Sequence, residues 1–377
     1  MMSKLFTPLQ VGFCQLKHRV IMAPLTRFRA DDNNVPLPIA KEYYSQRASV
    51  PGTLIIAEAT YISLAAGGYP NVPGIWSPEQ IARWKEITDA VHAQGSYIFL
   101  QLWALGRVGD ADTLKQDGFD LISSSAVPVD AGEPVPRAMT EEEIKQYIAL
   151  YAQAARNAVM AGFDGVELHG GNGYLVDQFT QDTCNRRTDS WGGSIPNRSR
   201  FAVEVTRAMV QAIGSERVAV KLTPWNDQQG MKMKDMEQQF LHLITSLKEL
   251  KLAYLHLTNP RVSVDEDVPL QGPPDGHPLE DNAGFVKAWG ETSPVFLGGG
   301  YTPQSAKHTL DVDYPLNEIG AVFGRLFISN PDLPLRLRDG LPFTPYDRDS
   351  FYTPLSPIGY SDYPFSDQAV DLIPVRV

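Results

Sequence analysis

The sequence contains little cysteine: Cys14 and Cys184 are the two thiols in 377 residues. So few cysteines argue against a disulfide framework and fit a reducing compartment. The chain also lacks an apolar run near the roughly 18 residues of a membrane span, and its start lacks the apolar core of a signal peptide. Basic residues are outnumbered, 33 to 44, which argues against nucleic-acid binding. We therefore predict a cytoplasmic protein without nucleic-acid or membrane partners.

Apolar residues, 43% of the total, are concentrated in short runs that alternate with longer helical stretches. The runs are almost continuously apolar, as in parallel strands covered on both faces. Eight such runs, each followed by a helical stretch, predict a (β/α)8 TIM barrel, an α/β fold; an open doubly wound sheet is the alternative. The predicted strands are 20–25, 54–60, 97–103, 165–169, 218–223, 254–258, 295–297 and 321–323.

Capping residues and closing glycines delimit helices between the strands. The chain length alone suggests two to three domains, but eight βα units account for residues 1–377 as one domain. Residues 6–20 are predicted to form a hairpin that closes the barrel floor. The connections after strands three and six are long enough to act as lids or binding elements. The predicted helices are 79–93, 144–161, 198–213 and 304–310, and the two long connections are 104–140 and 259–281.

Two glycine clusters follow the last two predicted strands. Gly298, Gly299 and Gly300 precede a helix that begins at Pro303, and Gly324-Arg325 follow the neighbouring strand. Bare backbone N–H groups, a helix N-terminus and an arginine are typical of a phosphate site at this place in a barrel. The alternative is that the glycines only permit tight turns. The presence of the arginine on the adjacent strand favours phosphate.

His169, Asn172 and Tyr174 lie together after the fourth predicted strand. A histidine beside an amide can donate hydrogen bonds to a carbonyl oxygen, and a tyrosine that is protonated at pH 7 can supply a proton. The other strand ends offer no matching set of metal ligands, and we predict no metal. On spacing alone, a structural role for the three residues is an equal alternative.

Scattered aromatic residues could line a pocket for a planar ligand, although single aromatics more often pack in a core. They are Tyr69, Trp103, Trp225 and Tyr360. The Tyr- and Pro-rich segment 341–365 is predicted to wrap over the barrel. His256 has no partner in the sequence and is predicted to be structural or exposed.

Short segments of the chain form one ordered pattern: 5–9 (LFTPL), 19–27 (RVIMAPLTR), 101–103 (QLW), 169–175 (HGGNGYL), 185–189 (NRRTD), 192–194 (GGS) and 327–333 (FISNPDL). Together they resemble the Old Yellow Enzyme family. The resemblance extends from about residue 5 to residue 365. Its HxxNxY pattern and Tyr-rich tail are most similar to the branch that holds the yeast and fungal enzymes and plant 12-oxophytodienoate reductase.

This resemblance implies non-covalent FMN at the mouth of a (β/α)8 barrel, with NADPH or NADH as the reductant. It implies that Thr26 hydrogen-bonds the flavin O4, that Ala59 and Gln101 face the pyrimidine edge, and that Lys221 supplies the cation near N1 and O2. The implied FMN residues are Pro24, Leu25, Thr26, Ala59, Gln101, Lys221, Gly299, Gly300, Gly324 and Arg325. The implied substrate residues are Tyr69, Trp103 and Tyr360.

The reaction implied by the resemblance is a ping-pong reduction of the C=C bond of a small α,β-unsaturated carbonyl compound, by a monomer or homodimer. His169 and Asn172 hold the carbonyl oxygen, hydride passes from flavin N5 to the β-carbon, and Tyr174 protonates the α-carbon. Two alternatives stay open. One is a redox-neutral flavin-dependent isomerase of a secondary-metabolite pathway, and the other is a phosphate-binding barrel enzyme without flavin.

The chain departs from the family pattern at three places. Lys221 stands where an arginine is usual, which keeps the charge but not the bidentate fork. Gly300 replaces a residue that often carries a side chain, and Ala104-Leu105 replace a common His-Val pair. The change at position 221 is expected to shift the affinity for flavin or its redox potential.

Overall fold

The computed structural model describes residues 3–260 and 280–372. In chain order its strands are β1 Leu9–Val11, β2 Cys14–Leu16, β3 Val20–Met22, β4 Leu54–Tyr61, β5 Tyr97–Trp103, β6 Ile122–Ser123, β7 Arg137–Ala138, β8 Gly165–His169, β9 Val218–Leu222, β10 Tyr254–Thr258, β11 Val295–Gly298 and β12 Ile319–Phe323. Strands β3, β4, β5 and β8 to β12 are parallel and close into a barrel, because β12 pairs with β3. The predicted TIM barrel is confirmed, and the open-sheet alternative is wrong.

Helices follow the barrel strands and cover their outer faces. They are α1 Ile39–Arg47, α2 Pro78–Ala93, α3 Ala111–Gln116, α4 Glu141–Met160, α5 Leu175–Thr180, α6 Ile195–Ile213, α7 Met236–Lys248, α8 Ala283–Trp289, α9 Pro303–His308, α10 Arg325–Ser329 and α11 Leu333–Asp339. Ser77 and Thr140 begin α2 and α4 with capping boxes. The helix predicted at 198 begins at Ile195 because Ser194 caps it. The helix predicted to reach 310 ends at His308, where a π-helical turn follows.

Two barrel strands differ from their predicted bounds by more than one residue, in each case for a physical reason. Strand β3 ends at Met22 rather than at residue 25, since Pro24 has no N–H with which to extend the ladder. Strand β12 begins at Ile319, two residues before the predicted start, and includes Gly320. A Cβ at Gly320 would lie 2.4 Å from Cδ1 of Ile21, so close packing inside the barrel requires the glycine there.

The hairpin β1–β2 closes the amino end of the barrel, as predicted for residues 6–20. Its apolar side chains Leu9, Val11 and Leu16 are buried and pack with barrel residues such as Phe99 and Tyr254. This layer fills the lower half of the barrel with apolar side chains. Among the described residues, this packing leaves the opposite end of the barrel, where the strands finish, as the place for a ligand.

The connection after β5 contains α3 and the short parallel pair β6–β7. Of the predicted lid 259–281, residues 261–279 lie outside the described residues. Along the described chain, no helix is both long and apolar enough to cross a membrane. The organisation of the chain as one domain stays a prediction.

Buried arginines hold the tail, residues 341–365, against the barrel as the predicted wrap. Arg27 donates to the backbone carbonyls of Phe351 and Gly359 at 2.9 and 2.6 Å. Arg47 is fully buried and donates to the carbonyl of Tyr360 at 2.9 Å. The path of the tail is therefore determined by charge-assisted hydrogen bonds from β-barrel connections and α1.

Candidate active site

A cavity of about 1210 Å3 opens at the carboxyl ends of the barrel strands. Loops at this end build the active sites of such barrels. The cavity brings together residues from both ends of the sequence. Every predicted site residue except Tyr360 lines it: Pro24, Leu25, Thr26, Ala59, Tyr69, Gln101, Trp103, His169, Asn172, Tyr174, Lys221, Gly299, Gly300, Gly324 and Arg325.

Polar side chains from four adjacent strands form the floor of the cavity. Gln101 lies on β5, and Lys221 on β9 is the register partner of His169 on β8 and of His256 on β10. All four side chains line the cavity. The prediction for His256 was incomplete: the residue is buried, but it belongs to the cavity floor and pairs with Glu167.

His169 is held among aromatic rings. Its ring stacks near Trp103, with centroids 6.0 Å apart, and meets the ring of Tyr174 edge-on at 4.9 Å. Burial, followed by the charge of Lys221, lowers the pKa of His169 well below its ordinary value. Within the described chain, Nδ1 of His169 has no hydrogen-bond partner. Because the ring also lines the cavity, a neutral imidazole is presented to a ligand.

Asn172 occupies a left-handed turn, with φ of 54°, that is fixed on both sides. Its backbone N–H donates to Oγ1 of Thr223 at 2.7 Å, and its Oδ1 accepts from Nδ2 of Asn226 at 3.3 Å. The next N–H, of Gly173, donates to the buried carboxylate of Asp177 at 2.9 Å. Because Oδ1 of Asn172 accepts from Asn226, the amide nitrogen is the atom that remains to donate to a ligand.

Tyr174 lies beside His169, and burial raises the pKa of its phenol above the ordinary value. The phenol therefore keeps its proton through the neutral range. The side chain of Gln229 lies beside this phenol. With its amide nitrogen facing the turn, Gln229 also donates to the carbonyl oxygens of Asn172 and Gly173, at 3.2 and 3.3 Å. The sequence offered no signal for Gln229, which lies in a polar loop after β9.

The aromatic residues divide into two groups. Tyr69 lines the cavity, but its hydroxyl donates to the carbonyl of Val108 at 3.0 Å, so the ring offers mainly apolar surface. Tyr360 lies elsewhere: it is fully buried and stacks on Tyr43 with centroids 4.0 Å apart. The structure does not bring it to the cavity. From the same tail, Tyr352 reaches the mouth instead.

Glycines form the opposite end of the cavity from the His169 cluster. Gly299 and Gly300 have φ of 113° and 67°, backbone conformations that would be strained in a residue with a side chain. Both glycines line the cavity. Gly324 and Arg325 line the same region, where α10 begins. Exposed backbone N–H groups beside a guanidinium form the kind of concavity that binds a phosphate.

Comparison with known proteins agrees with this arrangement. The sequence profile of the NADH:flavin oxidoreductase / NADH oxidase family matches residues 4–344. "Probable inactive reductase easA" of Epichloe festucae var. lolii is 57% identical over 371 residues, 98% of this chain and 97% of that protein. "Chanoclavine-I aldehyde reductase fgaOx3" of Penicillium roqueforti (strain FM164) is 56% identical over 366 residues, 97% of each. Old Yellow Enzyme from Pichia sp. AKU4542 has a crystal structure similar to this one, with a TM-score of 0.88 and 37% identity over 97% of this chain and 94% of that chain.

The chain belongs to the Old Yellow Enzyme family. It is therefore an FMN-dependent oxidoreductase that uses a nicotinamide nucleotide as reductant, and the alternative of a barrel enzyme without flavin is wrong. The cavity fits this cofactor by its own features. A glycine cradle beside Arg325 suits the phosphate, and the cavity is also lined by His169, whose buried Nδ1 has no hydrogen-bond partner in the described part of the chain.

Proposed function

We propose that this Old Yellow Enzyme relative reduces the C=C bond of α,β-unsaturated carbonyl compounds at the expense of NADPH or NADH. The observation that carries the proposal is the convergence of His169, Asn172 and Tyr174 on one side of the cavity. The first two offer donors for a carbonyl oxygen, and the third offers a proton. FMN supplies the hydride chemistry when it is bound.

The three side chains have complementary tasks in this proposal. His169 is neutral, so it donates a hydrogen bond without placing a full charge beside the substrate. Together with the amide of Asn172 it stabilises negative charge that develops on the carbonyl oxygen. Tyr174 retains its proton because of burial and delivers it to the α-carbon.

The substrate class is narrowed by two features. Trp103 and Tyr69 give the cavity flat aromatic walls, which suit a planar conjugated compound. A relative with 56% identity is named as an aldehyde reductase. We therefore place α,β-unsaturated aldehydes first among the candidate substrates, ahead of ketones.

Redox-neutral isomerisation of a conjugated substrate is the second candidate. The relative with 57% identity carries a name that describes it as an inactive reductase, which makes net reduction the step that needs a test. Isomerisation would employ the same carbonyl donors but would not consume NAD(P)H. The presence of Tyr174 as a placed proton donor favours reduction.

The experiment separates the two half-reactions. Purified protein is reduced anaerobically with NADPH or NADH, and reoxidation of bound FMN is followed with an unsaturated aldehyde, an unsaturated ketone and the saturated aldehyde. We expect the unsaturated compounds to reoxidise the flavin and to yield the saturated carbonyl product, with one NAD(P)H consumed for each. Conversion without loss of NAD(P)H would establish the isomerase, and protein that takes up no FMN would contradict both candidates.

A further inference from the structure

Glu167 lies in the barrel interior beneath the cavity floor. It is fully buried on β8, on the same face of the strand as His169. Its Oε1 accepts a 2.7 Å hydrogen bond from Nε2 of Gln101, and its Oε2 lies 2.9 Å from Nδ1 of His256. Both carboxylate oxygens therefore bind side chains that line the cavity.

These two hydrogen bonds determine which atoms Gln101 and His256 turn away from the carboxylate. Because Nε2 of Gln101 donates to Glu167, the amide oxygen of Gln101 points to the other side as an acceptor. Burial lowers the pKa of His256, so its ring is neutral, with the proton on Nδ1 and a bare acceptor at Nε2. A Cβ on Gly298 would lie 3.2 Å from that Nε2, at the edge of the glycine cluster.

The third group that depends on Glu167 is the ammonium of Lys221. Burial lowers the pKa of Lys221, and the charge of Glu167 opposes this by raising it. His169 and His256 flank Lys221 from the neighbouring strands, and both are neutral. An arginine would stay protonated here in any case, whereas a buried lysine can lose its proton. The charge at position 221 therefore depends on the carboxylate.

The charge of Glu167 is itself maintained by these neighbours. Burial alone would raise the pKa of the carboxyl. His256, Lys221 and Gln101 outweigh burial and hold the pKa below its ordinary value. The result is a compact network in which one buried anion orients two neutral side chains and balances one cation. If Glu167 had only a packing role, its two carboxylate oxygens would not both need to bond to residues of the cavity.

We propose that Glu167 is a positioning residue for the pyrimidine edge of FMN, and that it sets the cofactor's redox potential through the charge of Lys221. The inference rests on the binding of FMN with Gln101 and Lys221 beside that edge, as the family resemblance implies. A cation at this edge favours the reduced cofactor, which carries the additional negative charge. Removing the carboxylate removes the support for that cation.

The test measures the midpoint potential of FMN-loaded protein by spectroelectrochemistry for Glu167→Gln in two backgrounds. In the wild-type background we expect the potential to fall by at least about 30 mV, which corresponds to a tenfold loss of binding of reduced relative to oxidised cofactor. In the Lys221→Arg background the cation persists without Glu167, so loss of the buried anion raises the potential. A rise or no change in the wild-type background, or equal shifts in both, overturns the proposal.

Asp332→Asn is the matched control for loss of a buried carboxylate. Asp332 is fully buried and pairs with Arg336 at 2.7 Å, in the connection to α11. We expect Asp332→Asn to lower the temperature of thermal unfolding and to leave the midpoint potential of FMN unchanged. A shift in the potential as large as that in Glu167→Gln overturns the proposal. Wild-type protein that binds no FMN contradicts the proposed function, whereas bound FMN with an unmoved potential in Glu167→Gln contradicts this inference alone.

Discussion

The guanidinium of Arg107 donates to the backbone carbonyl of Gln229 at 2.6 Å. Its other terminal nitrogen donates to the carbonyls of Val127 and Pro128 at 3.2 and 2.9 Å. Arg107 thus joins the connection after β5 to the loop after β9. The side chain of Gln229, held in this way, contacts the turn that carries Asn172 and the phenol of Tyr174.

Gln229→Ala is therefore expected to slow reduction of the substrate without slowing reduction of FMN by NAD(P)H. Loss of the amide frees the turn that carries Asn172 and leaves the phenol of Tyr174 less well oriented. We expect a decrease of about tenfold in the rate of the substrate half-reaction, the scale of one well-placed hydrogen bond. Stopped-flow measurement of each half-reaction gives the answer.

Gln153→Ala, on the exposed face of α4, is the matched control and should leave both rates unchanged. Equal slowing of the two half-reactions by Gln229→Ala would mean that the residue supports the cofactor site as a whole rather than the proton donor and the carbonyl site.

Tyr174→Phe should reduce the rate of the substrate half-reaction by about 10²-fold or more, the usual contribution of a placed general acid. Reduction of FMN by NAD(P)H should stay nearly unchanged. Because burial raises the pKa of this phenol, the wild-type rate should not fall from loss of its proton as the pH rises to 9. Tyr147→Phe, a tyrosine of α4 that donates to the carbonyl of Ala65, is the control. If both half-reactions slow together in Tyr174→Phe, the role of proton donor is incorrect.

The sequence predicts the barrel and most of the cavity because these depend on local patterns. Continuous apolar runs indicate parallel strands, and polar or glycine residues directly after them must meet at one end of a parallel barrel. His169, Gly299 and Lys221 were found in this way or through a family resemblance that rests on the same segments. Their convergence in one cavity follows from topology.

The parts of the site that the sequence does not predict depend on contacts between residues that are distant in sequence. Gln229 and Arg107 are 122 positions apart, and Glu167 and His256 are 89 apart, so no local spacing indicates either contact. The position of Tyr360 away from the cavity could not be predicted for the same reason. Its place depends on how buried arginines direct the tail, and these contacts turn its ring onto Tyr43 rather than towards the cavity.

Arg47→Met is expected to lower the free energy of unfolding and to have no direct effect on the reaction. The guanidinium lies 3.7 Å from the ring centroid of Tyr43 and donates to the carbonyls of Ile328 and Tyr360 at 2.6 and 2.9 Å. Removing it leaves these buried carbonyls without a donor, at a cost of about 1–3 kcal/mol each. Urea unfolding should show a decrease of about 3 kcal/mol in the free energy of unfolding. Arg338→Met, at an exposed site, should change it by less than about 0.5 kcal/mol.

Glu58→Gln should alter the pH dependence of stability. Burial raises the pKa of Glu58 to about 7, although Tyr44 donates to its Oε1 at 3.1 Å. In the folded protein the carboxyl of Glu58 therefore keeps its proton up to about pH 7, whereas in the unfolded chain it releases the proton near pH 4.5. The contribution of Glu58 to the free energy of unfolding consequently falls as the pH rises from 4.5 to about 7, and it is constant above that pH. The free energy of unfolding of wild type minus that of Glu58→Gln should decrease by up to about 3 kcal/mol between pH 5 and pH 8. Urea unfolding across this pH range measures the difference, with Glu42→Gln at an exposed site as the control. A difference in the free energy of unfolding that does not change with pH would show that Glu58 is ionised throughout.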